Sequence, residues 1–100
     1  MIGLPKNLGG TQKHSFAYVV IPSGCSSRLH YHPSDEETYY VLKGKGRMTI
    51  NGKEHKVTPG DAILIHPPEK HQIFSDGADG PLEFIVVSAP AWQPSGTVFL

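Results

Sequence analysis

Gly46-Arg-Met-Thr-Ile50-Asn51-Gly52-Lys53-Glu-His-Lys-Val57-Thr58 is the stretch that decides the fold class. Two short runs flank an Asn-Gly pair, and both of those residues tolerate the positive φ angles of a type I′ turn. The spacing therefore predicts that Gly46–Asn51 and Lys53–Thr58 pair as a hairpin. Outward from this hairpin the same grammar repeats. Short runs rich in Val, Ile, Tyr and Phe alternate with Gly, Pro, Asn and Asp, giving further strands at Ser15–Ile21, Ser27–His32, Glu37–Lys43, Ala62–Ile65, His71–Ser75 and Leu82–Val87. Turns are expected at Pro59-Gly60-Asp61 and within Asp76–Pro81. No segment sustains a helical period, so eight short strands imply an all-β, antiparallel sandwich or barrel.

The composition bounds what such a barrel does. At 100 residues, 38% hydrophobic and 18% charged, the chain reads as one globular domain spanning 1–100, with its core at about 15–88. Nine basic residues balance nine acidic ones and no basic run exceeds a pair, which gives no support for nucleic acid or an anionic membrane as a partner. No apolar run, Ala62–Ile65 and Phe84–Val87 included, is long enough to span a bilayer. Cys25 is the lone cysteine, so neither an internal disulfide nor a thiolate zinc cluster forms within one chain. A reducing compartment fits, and the expected location is cytoplasmic. The tails, up to about Gly10 and from Pro90 onward, are expected to be loosely held or to reach a neighbouring subunit.

The chemistry is concentrated in histidines. His30 and His32 lie two apart on a predicted strand and leave the same face. Glu37 re-enters a strand after a short polar turn, and His71 opens a later one. Three imidazoles and a carboxylate suit one divalent first-row ion, whether Mn, Fe, Co, Ni, Cu or Zn, and leave positions open for water or substrate. Each residue also has a plainer reading: surface imidazoles, a solvated acidic triplet Asp35-Glu36-Glu37, and a loop histidine after Pro67-Pro68.

Spacing favours the first reading. Gly24-Cys-Ser-Ser-Arg-Leu-His30-Tyr-His32-Pro-Ser-Asp-Glu-Glu37-Thr-Tyr-Tyr-Val-Leu-Lys-Gly44 resembles the first signature of the cupin family, with a Gly, a His-x-His, a Glu and a closing Gly all in place. Glu36 fits the shorter of the two Glu spacings, but only Glu37 keeps Gly44 in register. The stretch Gly60-Asp-Ala-Ile-Leu-Ile-His66-Pro-Pro68-Glu-Lys-His71-Gln-Ile-Phe-Ser75 resembles the second signature. It departs from it at His66, Pro68 and Ser75, where Pro, Gly and Asn are usual. The resemblance implies a double-stranded β-helix, or jelly roll, of about eight to ten strands, with His30, His32, Glu37 and His71 as metal ligands.

The same resemblance implies a small-molecule ligand, but not a choice of activity. Cupins include dioxygenases, decarboxylases, isomerases and epimerases as well as binding proteins. The expected function is a metal-dependent enzyme of dioxygenase or isomerase type, acting on a small oxygenated metabolite. The alternative is a non-catalytic module for a sugar or other metabolite. Tyr39 shares parity with Glu37 and is expected in the cavity. Tyr18, in phase with Phe16 and Val20, and His66 at the barrel mouth are further cavity candidates, each with an ordinary packing or loop reading. Cys25 has no basic neighbour and reads as a strand-edge residue, and His14 and His55 as surface residues. Single-domain cupins commonly pair, and Trp92, Val98, Phe99 and Leu100 beyond the last predicted strand need cover from the barrel or a partner, so a homodimer is expected.

Overall fold

The structure, a computed structural model, describes residues 13–77, 80–92 and 94–100. The expectation for the N-terminal tail lies outside these residues. The strands are β1 (Ser15–Ile21), β2 (His30–Tyr31), β3 (Glu36–Lys43), β4 (Gly46–Ile50), β5 (Lys53–Val57), β6 (Ala62–Ile65), β7 (His71–Ser75), β8 (Leu82–Ala89) and β9 (Val98–Phe99). A single 3-10 turn, Pro94–Gly96, precedes β9. All pairings are antiparallel and form two sheets, β1-β8-β3-β6 and β5-β4-β7-β2-β9.

The hairpin that opened the sequence reading is β4–β5. Ile50 pairs with Lys53, and Asn51 and Gly52 take φ angles of 50° and 82°, as a type I′ turn requires. Gly44 has a second reason to be glycine. Its φ is +85°, and a Cβ there would meet the Pro81 carbonyl oxygen at 2.4 Å.

Period-2 alternation sends one side of each sheet inward. Ala17, Val19 and Ile21 from β1, Tyr39 and Val41 from β3, and Leu82, Phe84 and Val86 from β8 meet Met48, Val57 and Ile73 of the opposite sheet in one core. Polar inward positions gather at one end of this core: His32, Glu37, His71 and Ser88 are all buried.

Two elements differ from expectation. Only His30–Tyr31 of the segment Ser27–His32 forms regular strand. The Ser27 hydroxyl accepts the Ile73 N–H at 3.0 Å while the Ser27 N–H donates to the Ile73 carbonyl at 2.9 Å, so both ladder positions of Ile73 go to one residue and the register breaks. The C-terminal segment is not loosely held. The Trp92 N–H donates to Ser15 Oγ at 2.8 Å, β9 pairs with β2, and the Leu100 N–H donates to the Leu29 carbonyl at 3.0 Å. The tail folds onto its own barrel as a strap beside the histidines.

Candidate metal centre

His30 and His71 face each other directly across β2 and β7, with ring centroids 4.2 Å apart. His32 follows two residues after His30, and Glu37 points in from β3 of the facing sheet. One donor atom from each of the four lies within 4.8 Å of every other. His32, Glu37 and His71 are at most 2% exposed. Glu36, on the opposite face of β3, is exposed.

The backbone sets the protonation of all three imidazoles. His30 Nδ1–H donates to the Arg28 carbonyl at 2.7 Å, His71 Nδ1–H to the Glu69 carbonyl at 3.0 Å, and His32 Nδ1–H to the Gly96 carbonyl at 3.1 Å. In a neutral ring this leaves each Nε2 as a bare lone pair. His32 Nε2 lies 2.8 Å from Glu37 Oε1 but lacks the alignment of a hydrogen bond, so this buried atom has no hydrogen-bond partner. His71 Nε2 is 3.1 Å from the same oxygen. Lone pairs held this close repel unless a proton or a metal ion stands between them and the carboxylate. Adjacent donors on an ion with bonds of about 2.1 Å are roughly 3 Å apart, which is the spacing of Glu37 Oε1 from His32 Nε2 and His71 Nε2. The residues present fit a divalent metal.

The charges agree with this assignment. Burial, helped by the neighbouring imidazoles His71 and His32, lowers the His30 pKa to about 4 against the Arg28 carbonyl, so the ring is neutral near pH 7. Burial alone would raise Glu37, but contacts with His32 and His71 outweigh it and hold its pKa at about 2. His32 moves the other way. Burial disfavours its charge, yet the Glu37 carboxylate raises its pKa above the ordinary 6.5. An ionised Glu37 and a neutral His30 are ready for a metal ion, and His32 gives up its proton when it ligates.

The sequence profile of the cupin domain matches residues 17–88. The chain belongs to the cupin family. It is 36% identical over 88 residues to an uncharacterized protein of Methanocaldococcus jannaschii, covering 88% of this chain and 70% of that one. It is 38% identical over 72 residues to an oxalate-binding protein of Thermotoga maritima, covering 72% of this chain and 59% of the relative. In fold it resembles a conserved protein with a double-stranded β-helix domain from Klebsiella pneumoniae, with a TM-score of 0.79 at 21% identity over 96% of this chain and 89% of that one.

In this cupin the four side chains sit where the first and second signatures place them. His30 and His32 open onto a cavity of about 520 Å³ between β1 and the β2–β9 edge. Tyr39 lines it, 4% exposed, and its hydroxyl donates to Glu37 Oε1 at 3.4 Å. Burial, together with the Glu37 charge, raises the Tyr39 pKa well above 10, so the phenol keeps its proton.

Two cavity expectations are corrected. Tyr18 is 50% exposed on the outer face of β1 and its hydroxyl donates to Glu83, because Ala17, Val19 and Ile21 take the inward phase. His66 is 60% exposed. Its Nδ1 lies 3.9 Å from Glu36 Oε2, and its backbone N–H donates to Glu69 Oε1, so the turn points the ring to solvent. Cys25 is free and exposed.

Other participants carry little signal in the sequence. Ser88 pairs with Glu37 across β3 and β8, and its hydroxyl donates to Glu37 Oε2 at 3.1 Å, leaving Oε1 towards the histidines. Its signal is a polar residue in an otherwise inward apolar phase of β8. The strap supplies the rest. Thr97 Oγ1 lies 3.2 Å from His32 Nδ1 and accepts the Trp92 indole N–H at 3.1 Å. Such contacts orient a ligating imidazole.

Proposed function

We propose that this cupin is a metal-dependent enzyme for a small oxygenated metabolite, of dioxygenase or isomerase type, with His30, His32, Glu37 and His71 holding one divalent transition ion. The observation that carries the reading is the convergence of one donor atom from each of His30, His32, Glu37 and His71 beside an internal cavity. When bound, such an ion supplies Lewis-acid polarisation of a chelated oxygen or, if iron, a site for dioxygen. The chain itself holds Glu37 ionised, keeps three imidazoles oriented through backbone carbonyls, and places the Tyr39 phenol beside them as a proton-bearing group.

A second reading has its own support. Among the described cavity residues Tyr39 is the candidate proton donor beside the ligands, and its raised pKa makes it a hydrogen-bond donor rather than a base. That favours a receptor, as does the oxalate-binding relative, whose ligand is a property of that protein. Elemental analysis of protein purified without chelator or nickel resin identifies the ion. A metabolite screen with Fe(II), Mn(II) or Zn(II), under air and under nitrogen, then separates the readings: product supports the enzyme, and tight binding without product under every condition leaves the receptor.

The same proposal has the chain working in the cytoplasm as a homodimer. No helix among the described residues is long and apolar enough to cross a membrane. The outer face of β1-β8-β3-β6 exposes Phe16, Tyr18, Tyr40, Leu64 and Val87 in adjacent cross-strand rows. A second copy fits this face, because a two-fold axis pairs a patch with itself and a net charge of zero sets up no repulsion between copies. Sedimentation of Phe16→Ser should shift the protein towards monomer; an unchanged dimer would place the contact elsewhere.

A further inference from the structure

The cavity beside the metal ligands has two ends of different character. At the inner end are His30 and His32. The walls are Val19, Ile21, Ile73, Phe84 and Val86, which offer a ligand no polar atom. A sugar held there would leave buried hydroxyls unpaired, which is unfavourable. The polar side chains near the rim are hydroxyls that each already accept one hydrogen bond within the protein and carry no charge. Ser27 Oγ accepts the Ile73 N–H, Ser26 Oγ accepts from Gln72 Nε2, and Thr97 Oγ1 accepts the Trp92 indole N–H.

Arg28 is the exception. It lines the cavity rim, and its guanidinium has no carboxylate partner among the described residues. Its Cζ lies over the Phe99 ring, 4.4 Å from the centroid. Phe99 also neighbours His30, with centroids 5.9 Å apart. No hydrogen bond or ion pair within the protein takes up the guanidinium N–H groups among the described residues, and those groups match a planar carboxylate in a bidentate pair. Phe99 thus touches both the Arg28 guanidinium and a residue of the candidate metal centre.

We propose that Arg28 is the anion-binding residue of this cavity, and that the ligand is an organic carboxylate with oxygens at one end for the metal, a flat apolar body, and its acid group at the far end on Arg28. The inference rests on the metal-centre reading above and names the substrate class of that site. The size of the cavity, about 520 Å³, falls in the range for ligands with such a body and is generous for a dianion as small as oxalate.

The test uses the full chain loaded with Zn(II) and three probes that share one chelating head: 3,4-dihydroxybenzoate, its methyl ester, and catechol. Calorimetry should show the acid binding about tenfold or more tighter than the ester or catechol, the factor expected for one charge-assisted pair. Arg28→Gln should remove that preference while leaving zinc and catechol affinities within about twofold, and Arg28→Lys should restore part of it. Equal affinities for acid and catechol in the unaltered protein would overturn the Arg28 assignment and leave the metal centre standing, as would a preference that survives Arg28→Gln. Binding of none of the three probes to zinc-loaded protein also counts against it. A chain that takes up no zinc overturns the metal-centre reading and this inference with it.

Discussion

Two regions of the molecule hold His32 from opposite sides, and they are built differently. On one side are His30, Glu37 and His71, on β2, β3 and β7, whose period of two aims alternate side chains at a shared interior. On the other is the C-terminal strap, residues 94–100, which touches His32 through the Gly96 carbonyl and the Thr97 hydroxyl. The strands provide the donor atoms; the strap fixes which nitrogen of His32 carries the proton and how the ring is turned. Donor identity is written in side chains, and orientation largely in backbone carbonyls.

If this division of labour holds, the largest effect belongs to the strands. His71→Ala removes a buried donor and should lower metal affinity by more than the roughly 10- to 100-fold that loss of a supporting hydrogen bond causes. Calorimetric titration should show this while circular dichroism still reports a β-protein, and a variant that bound the ion as before would remove His71 from the site.

Acidification acts on the same atoms. His32, with its pKa raised above 6.5, must lose a proton before it can ligate, so affinity should begin to fall as pH drops through that region. His30 resists protonation until about 4 and Glu37 until about 2. Release should therefore start near neutrality and be complete as His30 charges, near pH 4. Unchanged affinity at pH 4, measured by equilibrium dialysis, would rule out the three imidazoles.

Glu37→Gln should follow in size, because a neutral amide replaces an anionic donor, whereas Glu36→Gln on the exposed face should be close to silent. The reverse order would mean that β3 sits one residue out of register, with its two faces exchanged.

The strap should show the smallest change. Thr97→Val removes the hydroxyl contact to His32 but leaves the Gly96 carbonyl in place, so the loss should fall at or below about tenfold. An effect as large as that of His71→Ala would make the strap part of the donor set itself.

The same contrast explains what the sequence disclosed. The β4–β5 hairpin was legible because Asn51-Gly52 has a specific backbone meaning, and the four ligands were legible because their spacing is that of strands and a turn. Tyr18 was misplaced for a physical reason. Both phases of β1 are apolar, Phe16-Tyr18-Val20 and Ala17-Val19-Ile21, and alternation cannot choose between two apolar faces. The aromatic set is the outer one. The shortened β2 follows from a Ser27 hydroxyl standing in for a ladder group, which a propensity reading does not see. The strap was read as a loose tail because a carbonyl such as that of Gly96 leaves no trace in residue type.

The central claim is that one divalent ion sits among His30, His32, Glu37 and His71. Anomalous diffraction from crystals of the metal-loaded protein, recorded across the absorption edge of that metal, tests it most directly. The account predicts one peak per chain, about 2.1 Å from Nε2 of each histidine and from Oε1 of Glu37. A peak elsewhere on the chain, or an ion bound through Nδ1 atoms with the backbone carbonyl contacts broken, would contradict it.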